Sequence, residues 1–314
     1  MTRAAAGAKP PSVDIYLPIA GLSVNALVII GLGGLVGLLT GMVGVGGGFL
    51  TTPILIFYGI PPTVAAASGA SQVTGASVSG VFAHWRRGGV DGRMGAVLVA
   101  GGLAGSGLGA VLFRLLQTTG QIDTVISLLY VLMLTAVGGL MMREAVGALR
   151  AEPGAAQAPR RRHHPLVAAL PGRWRFRASG LYISPLAPAL LGVATGALTV
   201  LLGIGGGFIL VPAMIYLLGM GARVVVGTSL LQILFVTAAT TLIHALTTRA
   251  VDIVLAALLL VGSVVGAQLG AWLAQRVRPD ALRLALAALV LLVALRLGLG
   301  LGFRPDEIYT VQPA

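Results

Sequence analysis

Long uncharged apolar runs dominate this 314-residue chain and restrict its class of fold. A helix needs about 20 apolar residues to cross a bilayer, and helices pair their own backbone groups inside lipid. Only 10% of the residues are charged, whereas soluble domains carry about 25%. We therefore predict an all-α integral membrane protein. The runs lie at 22–43, 49–60, 63–83, 94–116, 122–142, 181–202, 208–218, 222–246, 253–274 and 281–301.

The runs form two copies of one pattern. The stretch GVGGGF at 44–49 matches GIGGGF at 203–208. Later matches pair Pro53 with Pro212, Gln72 with Gln232, His84 with His244, and Asp91 with Asp252. Such an ordered series favours a duplicated unit over shared composition. The predicted parts are an N-terminal tail at 1–21, membrane repeats at 22–142 and 181–303, a basic connector at 143–180 and a C-terminal tail at 304–314.

Glycines also recur at every fourth position in one run of each copy. They are Gly101, Gly105 and Gly109 in the first copy, and Gly262, Gly266 and Gly270 in the second. A stripe of small residues lets a neighbouring helix approach closely. We interpret both stripes as helix-packing surfaces.

The arginines predict how the two copies are oriented. The loop 84–93 has three arginines, whereas its counterpart 245–252 has one. The bias reverses for 114–123, which has one, and 275–283, which has three. Because basic loops face the cytoplasm, equivalent loops lie on opposite sides, which defines an inverted repeat. The connector is then cytoplasmic, and both termini lie outside a bacterial inner membrane.

This topology leaves the number of crossings open. Each copy must cross an odd number of times, so five plus five crossings are possible. Three plus three also fits, if each glycine-rich break forms a hairpin that dips into the membrane and returns. About eight to ten membrane segments result, since a crossing takes roughly 20 residues.

The two glycine-rich breaks are the first candidate site. A break frees backbone N–H groups, which must face protein, water or a ligand inside the membrane. Helices that start at Phe49 and Phe208 would direct these groups and positive dipole ends towards one region, which favours an anion. The alternative is that the glycines only permit tight packing. The candidate residues are Gly44, Gly46, Gly47, Gly48, Gly203, Gly205, Gly206 and Gly207.

Polar side chains in the runs after the breaks are further candidates. Ser68 lies one helical turn from Gln72, and Thr228 lies one turn from Gln232, so each pair shares a helix face. Hydroxyl and amide donors can bind an oxyanion without a full charge, although serine and threonine often bond their own helix instead. We add the neighbouring Ser229 to this set. The matched His84 and His244 are candidates for gating or proton transfer, or are helix-end capping residues.

The motif around each break resembles the TauE/SafE family of sulfite exporters. It comprises Thr40 to Phe49 with Pro53, and Gly203 to Phe208 with Pro212; the stretch GTSLLQI at 227–233 also resembles a family element. The first copy departs there, with ASGASQV at 67–73. The resemblance implies transport of small sulfur-containing anions such as sulfite, sulfonates or thiosulfate. A permease or channel for another organic anion, such as a carboxylate, is the alternative.

Other classes of function are disfavoured. The sequence has no cysteine, no His-x-x-x-His, no Gly-x-Ser-x-Gly and no paired carboxylates within the runs, so we expect neither an enzyme nor a metal or cofactor. The net charge of +12 is explained by cytoplasmic loops rather than by nucleic acid. The expected partners are a small anion and membrane lipid, and the oligomeric state is left open. The missing intramembrane carboxylate favours efflux driven by membrane potential.

Overall fold

Each half of the chain folds as a short β-hairpin followed by five helices. The computed structural model describes residues 14–43, 48–150, 171–176, 178–274, 276 and 279–302. The first half contains β1 (Asp14–Leu17), β2 (Leu22–Asn25), α1 (Ala26–Val43), α2 (Gly48–Phe57), α3 (Pro62–Arg86), α4 (Gly92–Thr118) and α5 (Ile122–Arg150). The second contains β3 (Trp174–Phe176), β4 (Leu181–Ile183), α6 (Leu186–Leu202), α7 (Gly207–Tyr216), α8 (Ala222–Thr247), α9 (Ile253–Ala274) and α10 (Pro279–Gly302).

Apolar helices long enough to cross a membrane dominate the described chain. Five qualify by length and composition, and they belong to α4, α5, α8, α9 and α10. Four shorter apolar helices lie in α1, α2, α6 and α7. This architecture confirms the prediction of an all-α integral membrane protein.

The helices on either side of each glycine-rich break form a hairpin that turns back. Ile29 near the start of α1 and Leu55 near the end of α2 share one apolar cluster with Leu17 of β1. In the second half, Leu191 of α6 and Met214 of α7 likewise share a cluster. The ten-residue helices α2 and α7 are about 15 Å long, which is half of a bilayer core. Within each half, the start of the helix before the break therefore packs beside the end of the helix after it.

The two halves are interlocked through the glycine stripes. Helix α4 of the first half packs along α6 of the second, and α9 of the second packs along α1 of the first. A Cβ added at Gly105 would lie 2.1 Å from the carbonyl oxygen of Val193, and one at Gly266 would lie 2.0 Å from that of Gly34. The backbones approach so closely that only glycine fits, which confirms the predicted packing surfaces.

Buried Asp252 marks one end of the bundle. It lies just before α9, where its carboxylate accepts a hydrogen bond from the Leu255 N–H at 3.1 Å and so caps the helix. The carboxylate also accepts from the Ile19 N–H in the β1–β2 turn at 3.2 Å. Its own N–H donates to Ser68 Oγ, near the start of α3, at 3.0 Å. These contacts define the Asp252 end.

Buried Asp91 marks the opposite end in the same way. Its carboxylate caps α4 at the Met94 N–H, 3.1 Å away. It also accepts from the N–H and Oγ of Ser179 in the β3–β4 turn, at 2.9 and 2.8 Å. The Asp91 N–H donates to Thr228 Oγ1, near the start of α8, at 3.0 Å. These contacts define the Asp91 end, near which α3 finishes.

The structure departs from the predicted boundaries at the entry to each half. The runs predicted as helices from 22 and 181 begin as β2 and β4, and the helices start only at Ala26 and Leu186. The partner strands β1 and β3 fall within the predicted tail and connector. The turns of the two hairpins bind Asp252 and Asp91, the residues that cap α9 and α4. The C-terminal tail 304–314 and most of the connector lie outside the described residues.

Candidate functional site

The residues that follow the two glycine-rich breaks meet inside the bundle. The rings of Phe49 and Phe208, which follow the two breaks, stack with centroids 4.1 Å apart and planes 9° apart. A Cβ at Gly48 would lie 2.6 Å from the carbonyl oxygen of Ile204. The start of α2 therefore contacts the second break and the start of α7. The candidates Gly44, Gly46 and Gly47 lie outside the described residues, so the geometry below is that of the second break.

The second break is a turn that requires glycine. Gly203, Gly205 and Gly206 have φ angles of +69°, +75° and +72°, which L side chains rarely adopt. The position is also crowded, since a Cβ at Gly203 would lie 2.0 Å from the carbonyl oxygen of Ala66 in α3. Helix α6 thus ends at Leu202, Gly203 is its C-cap, and α7 starts at Gly207.

Five consecutive backbone donors at this break have no partner in the described part of the chain. Residues 204–208 are all buried, and their N–H groups donate to no residue that the structure describes. The N-cap residue of α7 is Gly206, which has no side chain to cap the helix. The first paired N–H groups are those of Ile209 and Leu210, which bond the Gly206 carbonyl. Buried N–H groups at a helix N-terminus favour a negatively charged ligand.

Two carbonyl acceptors before the break are paired. The Leu202 carbonyl accepts from the Tyr130 hydroxyl and from Thr52 Oγ1, the latter at 3.4 Å. The Val200 carbonyl oxygen lies 2.9 Å from His244 Nε2. Because a carbonyl can only accept, Nε2 carries a proton in this contact. Side chains therefore occupy the Leu202 and Val200 carbonyls before the break, whereas the N–H groups of residues 204–208 donate to no described residue. A negatively charged ligand would supply acceptors for them.

The predicted glutamines are buried, and each retains a free amide oxygen. Gln72 and Gln232 are 2% and 0% exposed, and neither Oε1 atom has a hydrogen-bond partner. Gln232 Nε2 donates to Thr195 Oγ1 at 3.3 Å. Thr195 also adjoins the break, since a Cβ at Gly206 would lie 3.0 Å from the Thr195 Cβ. Thr195 thus connects the Gln232 amide with the N-cap residue of α7.

The predicted hydroxyl residues all have partners within the protein. Ser68 and Thr228 accept from the main-chain N–H groups of Asp252 and Asp91, as described for the two ends. Ser229 Oγ donates to the Val226 carbonyl of its own helix at 2.9 Å. In this conformation these hydroxyls hold helix ends and their own helix.

The matched histidines occupy different environments. His244 is fully buried, and its ring makes an edge contact with Phe113 at 4.8 Å between centroids. Its second nitrogen, Nδ1, lies 3.3 Å from Thr248 Oγ1. His84 is half-buried in the last turn of α3, near Gly227. His244 thus supports the break, whereas His84 lies near the Asp91 end.

Three residues around the break were not among the predicted site residues. They are Thr195 beside Gln232, and Tyr130 and Thr52, which hold the Leu202 carbonyl. A polar residue within an apolar run was the available signal. Thr195 lies two helical turns before Gly203, and Tyr130 is the only tyrosine of α5.

These features define a class of protein: a polytopic membrane protein with two broken helices meeting at a buried, donor-rich turn. Among the described residues, no group of three or more His, Asp or Glu side chains could hold a metal ion. Broken helices whose N-termini meet within the membrane are typical of secondary transporters.

Comparison with known proteins identifies the family. The sequence profile described as "Sulfite exporter TauE/SafE" matches residues 29–297, and the chain belongs to this family of membrane transporters. The "Probable membrane transporter protein YjnA" of Bacillus subtilis is 30% identical over 85% of this chain and 98% of its own length. A "Probable membrane transporter protein" of Xylella fastidiosa strain Temecula1 is 33% identical over 80% of this chain and 86% of its own. No solved structure matches.

Proposed function

We propose that this transporter moves small sulfur-containing anions, of the sulfite, sulfonate or thiosulfate class, out of the cell. One observation carries the proposal: the buried N–H groups of residues 204–208 donate to none of the described residues, while the Leu202 and Val200 carbonyls beside them are paired. Unpaired buried donors are costly without a ligand. An oxyanion would accept hydrogen bonds from several of these N–H groups at once. The choice of sulfur-containing anions follows from membership of the family.

The contacts at the two ends support an inverted repeat. Ser68 and Thr228 occupy equivalent positions in the two halves, yet Ser68 binds at the Asp252 end and Thr228 at the Asp91 end. About 24 Å of α3 separates Ser68 from His84, at 1.5 Å per residue. In this proposal the halves are related by a pseudo-twofold axis, and the two breaks approach that axis from opposite sides.

The charge distribution supports an orientation in the inner membrane. The described arginines Arg86, Arg87 and Arg93 lie at or near the Asp91 end, as do Arg173 and Arg175 beside the second hairpin. By the positive-inside rule this end faces the cytoplasm. The first hairpin lies at the Asp252 end, so the chain begins outside. Arg296 of α10 lies 5.7 Å from the ring of Phe57, which supports the same side for this part of α10.

Membrane potential is the proposed driving force. The buried carboxylates Asp91 and Asp252 cap helices at the two ends and do not line the break. Moving one negative charge out of a negative-inside cell is favourable by about 2.3 kcal/mol per 100 mV of membrane potential. Export of an anion then needs no coupling ion.

The test is flux through purified protein in liposomes at clamped voltage, with and without a pH gradient. Sulfite and ethanesulfonate should cross in response to voltage, and the flux of ethanesulfonate should not depend on the pH gradient. A preference for lactate would favour the carboxylate alternative, and absence of flux for every sulfur anion would refute the proposal. Gln72→Leu and Gln232→Leu should lose flux, whereas Gln121→Leu makes the same change at an exposed site and should not.

A further inference from the structure

We propose that the site binds a singly charged anion that also carries one hydrogen-bond donor, such as hydrogensulfite in its hydroxyl form, in preference to the sulfite dianion. This inference rests on the proposed function and concerns the chemical form of the ligand. It follows from the free amide oxygen of Gln232, which Thr195 connects to the donor-rich break, and from the matching free oxygen of Gln72 in the other half. An anion with acceptors alone would leave such an oxygen unpaired.

The orientation of the Gln232 amide is fixed by its neighbour. Thr195 Oγ1 donates its proton to the carbonyls of its own helix, at 2.9 Å for Leu191 and 3.1 Å for Gly192. The threonine oxygen is then an acceptor towards Gln232, so the NH₂ group of the amide must face it. Flipping the amide would bring two acceptors together. Gln232 Oε1 is therefore the atom left without a partner.

The same deficit occurs in both halves. Gln72 matches Gln232 in the repeat, and its Oε1 is also buried without a partner. A buried amide oxygen is stabilised by a hydrogen-bond donor. The free N–H groups of the break are donors, but Thr195 separates them from the Gln232 amide. A ligand with oxygens for residues 204–208 and an O–H for an amide oxygen would satisfy both kinds of group.

Charge supports the same conclusion. The described contacts around the break come from Thr195, Thr52, Tyr130, His244 and Gln232, and none is an arginine or lysine. Neutral dipoles and a helix N-terminus equivalent to about half a charge must then stabilise the anion. The desolvation cost of an ion rises with the square of its charge, so a dianion fits such a site poorly.

The first experiment measures binding against pH in the detergent-solubilised full chain. Ligand-dependent thermal stabilisation is recorded with sulfite from mildly acidic to mildly alkaline pH. Ethanesulfonate keeps a single charge throughout, so it reports any titration of the protein itself. Above the pKa of hydrogensulfite, the apparent Kd for total sulfite should rise about tenfold per pH unit, because only the protonated fraction binds. The Kd for ethanesulfonate should stay constant.

The second experiment isolates the donor. Isethionate and ethanesulfonate share a sulfonate group and a single charge, but only isethionate has a hydroxyl. Wild-type protein should bind isethionate about threefold to tenfold more tightly. Gln232→Met removes the amide oxygen at similar volume and should abolish this preference. An unfolding midpoint without ligand that equals that of the wild type shows that the variant is folded.

Several results would overturn the inference. A Kd for total sulfite that is constant or falls as pH rises would show that the dianion binds. Equal affinities for isethionate and ethanesulfonate would show that the amide oxygens do not contact the ligand. Binding that needs sodium rather than a proton would assign these oxygens to a cation. Absence of binding by any sulfur anion at any pH would instead refute the proposed function.

Discussion

Replacing Gly105 with alanine should push apart α4 and α6, the helices that interlock the two halves. The new Cβ would lie 2.1 Å from the carbonyl oxygen of Val193, whereas ordinary contact begins near 3.4 Å. The helices must therefore separate by about 1 Å, which forfeits a quarter to a half of the dispersion energy of each affected contact. Because the obstacle is backbone and cannot change rotamer, we expect strain at the upper end for overpacking, about 3 kcal/mol.

Gly107 provides the matched control in the same helix. A Cβ there would meet nothing within 4 Å. Both substitutions gain the same helix propensity, about 1 kcal/mol, so that contribution cancels between them. Gly107→Ala should be neutral or slightly stabilising. The free energies of unfolding of the two variants should then differ by the strain alone, about 3 kcal/mol.

The assay is denaturant unfolding in detergent, followed by tryptophan fluorescence. The chain has three tryptophans and needs no label. Anion binding should be measured for the same two variants. Because α6 carries Thr195, a shifted α6 should weaken binding in Gly105→Ala but not in Gly107→Ala. Equal unfolding midpoints for the two variants would refute the description of the glycine stripe as a backbone contact.

Three further predictions test the site, one end and the topology. Tyr130→Phe removes a donor to the carbonyl at the break, so it should lower stability by about 1–3 kcal/mol and weaken anion binding; unchanged affinity would contradict this. Ser179→Ala removes the 2.8 Å hydrogen bond to the Asp91 carboxylate, and chemical unfolding should show a loss of about 1.5–3 kcal/mol. In this cysteine-free chain, Arg86→Cys and Arg249→Cys should react with an impermeant maleimide from opposite sides, and labelling from one common side would refute the inverted repeat.

The helices were predictable because their causes are local. Helix α9 occupies Ile253–Ala274, as its apolar run predicted, since such a run must be helical in lipid. The second break was predictable because successive glycines destabilise a helix and readily adopt the positive φ angles of a turn. Close packing along the glycine stripes followed from residue size alone.

The polar contacts were not predictable because their partners are distant in sequence. Ser68 binds a residue 184 positions away, and Tyr130 binds one 72 positions away. Periodicity identifies a face of a helix but not the helix that it meets. The hairpins were missed for a different reason: strands of three or four residues are too short for alternation to distinguish them from the start of an apolar helix.

The contacts between helices indicate which surface moves during transport. The glycine stripes join backbones and tolerate no shift, so α1 should move with α9 and α4 with α6. Between α3 and α8 the side-chain hydrogen bonds of the described residues are hydroxyl pairs, Ser71 with Thr241 at 3.3 Å and Thr74 with Thr237 at 2.8 Å. The Ser71 hydroxyl also donates to its own helix, so separating the pair costs little. A disulfide between Ser71→Cys and Thr241→Cys should therefore stop anion flux, and reduction should restore it. Equal flux before and after oxidation, with the disulfide demonstrated by mass, would place the moving surface elsewhere.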